Sequence, residues 1–154
     1  MNIRAATHAD CHVLAELRAE LVEETFHRPY RPWTWGERRP AFDRAITDGL
    51  VFVAEGAQGL DGFAVGSLAR PDLGSLDFLY VRPRARTRGV AAMLVAELAA
   101  ALADRGADYV LVNVDVDNTD ARTVYERWSF AECSATLLAA IPPLRDRLGG
   151  AGAR

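Results

Sequence analysis

The sequence predicts a mixed α/β domain whose first half is an antiparallel sheet. Three observations lead there. Apolar residues alternate between strand-like and helix-like periods in the order strand, helix, helix, three strands, helix, strand, helix, strand. Two of the strands, Leu50–Glu55 and Gly62–Ala69, are separated by a short turn at Ala57–Gly62 and read as a hairpin. The strand–helix–strand unit from Leu76 to Val116 predicts a right-handed crossover joining parallel strands.

The elements follow in order. Asn2–Ala6 reads as a short strand. Thr7 resembles an N-cap with Asp10 three residues on, and Val13, Leu14, Leu17 and Leu21 continue at helical spacing. The stretch TFHRPYRPWTW, Thr25–Trp35, breaks that helix with two prolines and gathers Phe26, Tyr30, Trp33 and Trp35 in a loop. A second helix is expected over about Gly36–Thr47. Pro83 ends the strand Leu76–Val81. Val90, Met93, Leu94, Leu98, Ala101 and Leu102 then form an apolar helical face ending near Gly106. Tyr109–Val116 reads as a strand, with Asn113, Asp115 and Asp117 along one side. Ala121, Val124, Tyr125 and Trp128 mark a short helix, and Phe130–Ala140 a last strand. Residues 1–141 are expected to form one domain and residues 142–154 a frayed tail.

With 154 residues, half of them hydrophobic and a quarter charged, the chain suits a soluble globular domain. The net charge of −3 argues against general affinity for nucleic acid. All 18 basic residues are arginine, which excludes a lysine Schiff base and a P-loop lysine. Two cysteines are too few for a disulfide framework, and no stretch approaches a membrane helix or a signal peptide. A cytoplasmic location is the simple expectation.

Positive charge gathers at Arg82, Arg84, Arg86 and Arg88, after a strand and just before Gly89 and a helix. A helix start carries free backbone N–H groups and the positive end of the dipole, so this order suits an anion such as a phosphate. Gly89 would let a ligand approach the backbone, and Ala91 is the next small residue. The other reading is a solvated basic run before an ordinary helix. There is no GxGxxG and no GxxxxGK[ST], so the dinucleotide and P-loop fingerprints are absent.

RTRGVA at Arg86–Ala91 fits [QR]-x-x-G-x-[GA], the signature of the GNAT acyltransferase superfamily. The chain resembles that superfamily elsewhere too: in LYVRP at Leu79, Val81 and Pro83, in NTDARTVYERWSF at Asn118, Ala121, Tyr125, Glu126 and Phe130, and in the opening IRAATHAD. Two departures stand out. Ser129 occupies the usual glycine before the last phenylalanine, and Thr87 stands where many members have glycine.

The resemblance implies a mostly antiparallel sheet with a splayed central parallel pair, flanked by helices. It implies acetyl-CoA as co-substrate and acetyl transfer to a primary amine by direct attack in a ternary complex. The amides of Thr87, Arg88, Gly89, Val90 and Ala91 would wrap the pyrophosphate, with Arg86 also counted among the cofactor-binding residues, and the backbone of Leu79, Tyr80 and Val81 would pair with the pantetheine arm. Asn118 matches a residue that meets pantetheine or water, and doubles as an N-cap candidate. Tyr125 matches a tyrosine near the sulfur, the candidate proton donor to the leaving thiolate. A backbone N–H near Leu79 or Val81 could polarise the acyl carbonyl. The family's glutamate early in the fourth strand falls at Ser75. Asp77, two residues on and so expected on the same strand face, is the candidate base, acting through water.

For the acceptor, Glu23 and Glu24 with Tyr30, Trp33 and Trp35 would suit a cationic amine. A small-molecule or peptide amine is the expected partner, with no nucleic acid and no membrane, and the resemblance makes a homodimer plausible. His8 and His12, spaced i, i+4, lack a convincing third metal ligand in the sequence, so no metal is expected. A coenzyme A sensor of the same fold, without turnover, is the competing reading.

Overall fold

The computed structural model describes residues 1–25 and 42–134 of the chain. Tyr30, Trp33, Trp35 and His27, the start of the second expected helix, the end of the last expected strand and the expected tail lie outside the described residues. The fold divides into two compact units, Met1–Asn113 and Val114–Arg154.

The first unit holds β1 (Asn2–Ala5), a 3-10 turn (His8–Asp10), α1 (Cys11–Thr25), α2 (Phe42–Thr47), β2 (Val51–Gly56), β3 (Gly59–Arg70), β4 (Leu73–Val81), α3 (Val90–Ala103) and β5 (Tyr109–Val112). The strands lie in sequence order in one sheet. β1 to β4 pair antiparallel, and β5 joins β4 in parallel after the α3 crossover. The mixed fold class and the parallel pair are therefore as the sequence predicts. Strand lengths differ: β3 and β4 start earlier than the apolar pattern suggests, and β5 stops at Val112 instead of Val116. Turn residues bend the chain there, with the Asn118 N–H donating to the Asp115 carbonyl at 2.9 Å.

Each sheet face is covered by helix. Val51, Val53, Phe63 and Val65 point to one side and pack with Leu14 and Leu17 of α1 and Phe42 of α2. Phe42 meets Phe63 edge-on at 6.0 Å. The opposite side receives α3, whose Val90, Leu94, Leu98 and Leu102 are buried. Gly66 and Gly74 have no room for a side chain, because a Cβ there would stand 2.7 Å from Leu98 and 2.6 Å from Leu102. The two glycines let α3 sit close on the sheet, and each buried leucine contributes about 1.5–3 kcal/mol of transfer free energy.

β4 carries an irregularity that the two-residue alternation did not foresee. Leu76 pairs with Gly66 and Phe78 with Val65, so Asp77 is an extra residue without a partner on β3. Such a β-bulge bends the strand and shifts its alternation by one. Gly74 accordingly lies under α3, whereas Phe78 and Tyr80 pack on the α1 side. The expectation that Ser75 and Asp77 share a face assumed an unbroken strand, and the bulge corrects it: Ser75 is buried and Asp77 exposed. The parallel ladder with β5 also ends here, at Leu76↔Val112. Among the described residues, β4 from Asp77 to Val81 is paired only with β3.

The second unit contains α4 (Thr119–Arg127). Asn118 caps it, its Oδ1 accepting the Ala121 N–H at 3.2 Å. Ser129 ends it with φ 66°, the left-handed conformation that favours glycine, and the Phe130 N–H returns to the Tyr125 carbonyl. Phe130–Ser134, the described part of the last expected strand, forms no strand.

Candidate functional site

The arginine run does two jobs. Pro83 opens a 3-10 turn, Pro83–Ala85, that pulls the chain off the end of β4 and buries Ala85. This turn aims the first three arginines back at the sheet and α1. Arg82 grips Glu20, with Nη2 to Oε1 at 2.7 Å, and also donates to the Leu60 carbonyl. Arg84 binds Asp61 at 2.6 Å and Gln58 at 3.2 Å. Arg86 binds Glu24 at 2.6 Å and the Val81 carbonyl at 2.8 Å. Arg88 is exposed and has no such partner among the described residues.

The solvated-run reading thus fails for three of the four arginines, which are structural. Their carboxylates sit on α1 one turn apart, at Glu20 and Glu24, and on β3 at Asp61. Tyr80 joins them, its hydroxyl donating to Glu24 at 2.8 Å and Glu20 at 3.3 Å. The Arg82 guanidinium holds the Glu20 carboxyl below its ordinary range. Burial, helped by the Glu24 carboxylate, pushes the Tyr80 phenol well up, so Tyr80 stays a donor. Sequence reading missed Glu20, Asp61 and the Tyr80 hydroxyl. The signal was present in the matched four-residue spacings of Glu20 with Glu24 and Arg82 with Arg86.

After Arg86 the chain reverses through two left-handed residues, Thr87 at φ 61° and Gly89 at φ 75°. Gly89 is the N-cap of α3 and offers no side chain to its free N–H groups. The Met93 N–H donates to the Gly89 carbonyl at 3.0 Å, closing the first turn of the helix. The N–H groups of Val90, Ala91 and Ala92 therefore have no acceptor within the helix. A Cβ at Gly89 would meet nothing within 4 Å. The glycine serves the left-handed backbone, not close packing against a described neighbour. The Arg86–Ala91 loop, the exposed Arg88 and the free margin of β4 from Asp77 through Leu79 and Tyr80 to Val81 all belong to the first unit.

The remaining candidates are placed as follows. Asp77 is exposed at the bulge, and Leu79 is half-buried. Glu23 is exposed on α1, while the Glu24 carboxylate is spent on Tyr80 and Arg86. In the second unit, the Tyr125 ring packs on Phe130 at 5.5 Å and Trp128 at 5.9 Å, and burial pushes its phenol up. The Asn118 carboxamide oxygen is used by the helix cap.

Among the described residues of the first unit, a helix start without a capping side chain, an adjacent arginine without a partner and a strand margin without a ladder partner together fit a phosphate-bearing ligand with an extended polar arm. Comparison with known proteins agrees with that architecture. The family model of FR47-like proteins matches residues 57–138, more than half of the chain. No curated protein matches. Among solved structures, the chain is similar to the tetramutant of BH1408 protein from Bacillus halodurans, with a TM-score of 0.72 and 18% identity over 91% of this chain and 99% of that one. It is similar to aminoglycoside N-acetyltransferase AAC(6')-Iy in complex with CoA, with a TM-score of 0.70 and 19% identity over 90% and 98% of the two chains. Ribosomal-protein-alanine N-acetyltransferase from Brucella melitensis gives a TM-score of 0.67 and 22% identity over 91% and 99%. At these identities the structures establish a shared fold. The family match, the parallel pair that ends at Leu76↔Val112 and the Arg86–Ala91 loop lead to one conclusion: this chain belongs to the FR47-like family, within the GNAT superfamily.

Proposed function

We propose that the protein is an acyl-CoA-dependent N-acyltransferase that transfers an acetyl group to a primary amine. The observation that carries this reading is the uncapped start of α3, where Thr87 and Gly89 turn the backbone and open space adjoins Gly89. The amides from Thr87 to Ala91 would hold the pyrophosphate, and Arg88 would add a charge-assisted bond. Arg86 serves through its backbone, since its side chain is held by Glu24 and Val81. The margin of β4 from Leu79 to Val81 would pair with the pantetheine arm. Bound acetyl-CoA would supply the activated thioester.

The chain's own residues then have three tasks. A β4 backbone N–H beyond the bulge polarises the acyl carbonyl. Asp77, exposed at the bulge, holds a water that takes the amine proton. The Tyr125 phenol, already protonated at neutral pH, would hydrogen-bond to the departing sulfur and give it a proton. Asn118 contributes its amide N–H2 to the pantetheine side, its oxygen being used in the cap. Glu23, with Tyr30 and Trp33, draws a cationic amine; Glu24 acts by fixing Tyr80 and Arg86.

The solved neighbours include enzymes named for aminoglycosides and for ribosomal-protein alanine, so both amine classes belong in the first screen. The test is release of free thiol from acetyl-CoA across aminoglycosides and peptide N-termini. Amine-dependent release is expected, and Tyr125→Phe should lower the turnover number by roughly 10²–10⁴-fold while leaving CoA affinity within about twofold. Tight CoA binding with no release for any amine would favour the sensor reading. Unchanged turnover in Tyr125→Phe would remove its acid role.

A further inference from the structure

We propose that His8, Cys11 and Asp43 form a binding site for a single borderline divalent metal ion of the Zn(II) type. The three residues meet where the 3-10 turn runs into α1 and where α2 begins. Their Nδ1 or Nε2, Sγ and carboxylate oxygen all lie within 4.8 Å of one another. The closest approaches are Cys11 Sγ to Asp43 Oδ1 at 3.5 Å and His8 Nδ1 to Asp43 Oδ1 at 3.6 Å. The first is a thiol hydrogen bond to the carboxylate, and the second lies within ion-pair distance for a protonated imidazole. The same three donors are also spaced to share one metal ion. Zinc bonds of about 2.0 Å to nitrogen and oxygen and 2.3 Å to sulfur, in a tetrahedron, place ligand atoms roughly 3.3–3.6 Å apart.

The backbone holds the three side chains in position. His8 and Cys11 are three residues apart on one continuous turn, so they share a face. That turn is pinned by its third residue: Asp10 takes both terminal nitrogens of Arg4, at 2.8 and 2.9 Å, and the Thr7 N–H at 2.8 Å. The α2 backbone that carries Asp43 is anchored by the preceding Phe42, which is buried edge-on against Phe63, while the Asp43 carboxylate itself is exposed. Sequence reading considered His8 with His12, but His12 turns instead to Glu16 at 3.1 Å. The true companions are Cys11, one turn away, and Asp43, 32 positions along the chain from Cys11 and beyond the reach of local spacing.

The donor set selects the ion. One nitrogen, one sulfur and one oxygen suit Zn(II) and its transition-metal neighbours, whereas Ca(II) and Mg(II) require oxygen ligands. Three protein ligands leave the fourth position to water, which the exposed His8 and Asp43 admit. On binding, the Cys11 thiol gives its proton to solvent and sulfur bonds to the metal as thiolate. The ion would brace the start of α1 against α2.

The experiment is calorimetric titration of Zn(II) into the full chain, with Co(II) absorption as a second readout. One equivalent is expected to bind, with a cobalt–thiolate charge-transfer band. Cys11→Ser should abolish that band and weaken binding at least tenfold, as should His8→Ala or Asp43→Ala. Cys133→Ser, which alters the other free cysteine, should change neither. Circular dichroism checks that the variants are folded. No binding to the folded wild-type chain would overturn the site, and so would binding that survives all three substitutions.

Discussion

The starts of α1 and α3 solve the same problem in opposite ways. Before α1, the chain satisfies its own donors: the Asp10 carboxylate accepts the Thr7 N–H and hydroxyl, and Arg4 locks the carboxylate in place. α4 resembles α1 in this, with Asn118 as its cap. Before α3 stands Gly89, with φ 75° and no capping side chain. Helix starts are routinely closed by Ser, Thr, Asp or Asn. A start without a cap, beside an arginine that has no partner among the described residues, is therefore informative, because the proposed ligand's phosphate would supply the acceptors.

Glycine replacements break this comparison most directly. Gly89 and Gly59 both have positive φ, and a Cβ at either would meet nothing within 4 Å. Gly89→Val and Gly59→Val should therefore carry similar backbone strain, about 1–3 kcal/mol each by thermal unfolding. Only Gly89→Val should lose CoA affinity, on the order of 100-fold, the worth of one or two charge-assisted hydrogen bonds. Equal CoA affinity in the two variants would remove the phosphate from the α3 start.

The arginines sharpen the contrast at the next level. Arg88→Ala should weaken acetyl-CoA binding by up to about tenfold, less at high salt, because the side chain is exposed and screened. Arg84→Ala should leave affinity within about twofold, since Arg84 is engaged by Asp61 and Gln58. Calorimetry at two salt concentrations distinguishes them.

Much of this site was legible in the sequence because it is local. Strand, Pro83, arginines, Gly89 and helix are consecutive, and their order alone implied free donors at a helix start. The departures from the family pattern were legible as well. Thr87 and Ser129, the two positions where glycine was expected, are the two described non-glycine residues with positive φ. The backbone shape persists although the residue best suited to it is absent. What escaped depends on chain segments far apart. The partners of Arg82, Arg84 and Arg86 lie on α1 and β3, more than twenty residues away. The bulge at Asp77 is a matter of register with β3, and SLDFLYV reads as an unbroken alternating strand. The shortening of β5 likewise follows from where its pairing with β4 ends.

The paired arginines belong to stability. Arg82→Ala should cost about 1–2 kcal/mol, discounted for the partial exposure of Glu20, as measured by denaturant unfolding. The pH dependence has a definite sign. Arg82 depresses the folded Glu20 carboxyl below its ordinary 4.5, so this stabilisation is present above that pH and is lost as acid protonates the folded group. The gap between wild type and Arg82→Ala should narrow on acidification below pH 4.5. A gap that stays constant would mean that the loss comes from packing instead. The smallest effect is expected at Ser129. Ser129→Gly relieves a left-handed residue and should stabilise the chain by about 0.5–1 kcal/mol, seen as a modest rise in melting temperature.

The most direct test of the open helix start is amide hydrogen exchange, resolved by residue, with and without acetyl-CoA. The amides from Arg88 to Ala92 should become protected when acetyl-CoA binds, while those around the capped starts at Cys11 and Thr119 keep their rates. Binding that leaves Arg88–Ala92 unprotected would contradict the account.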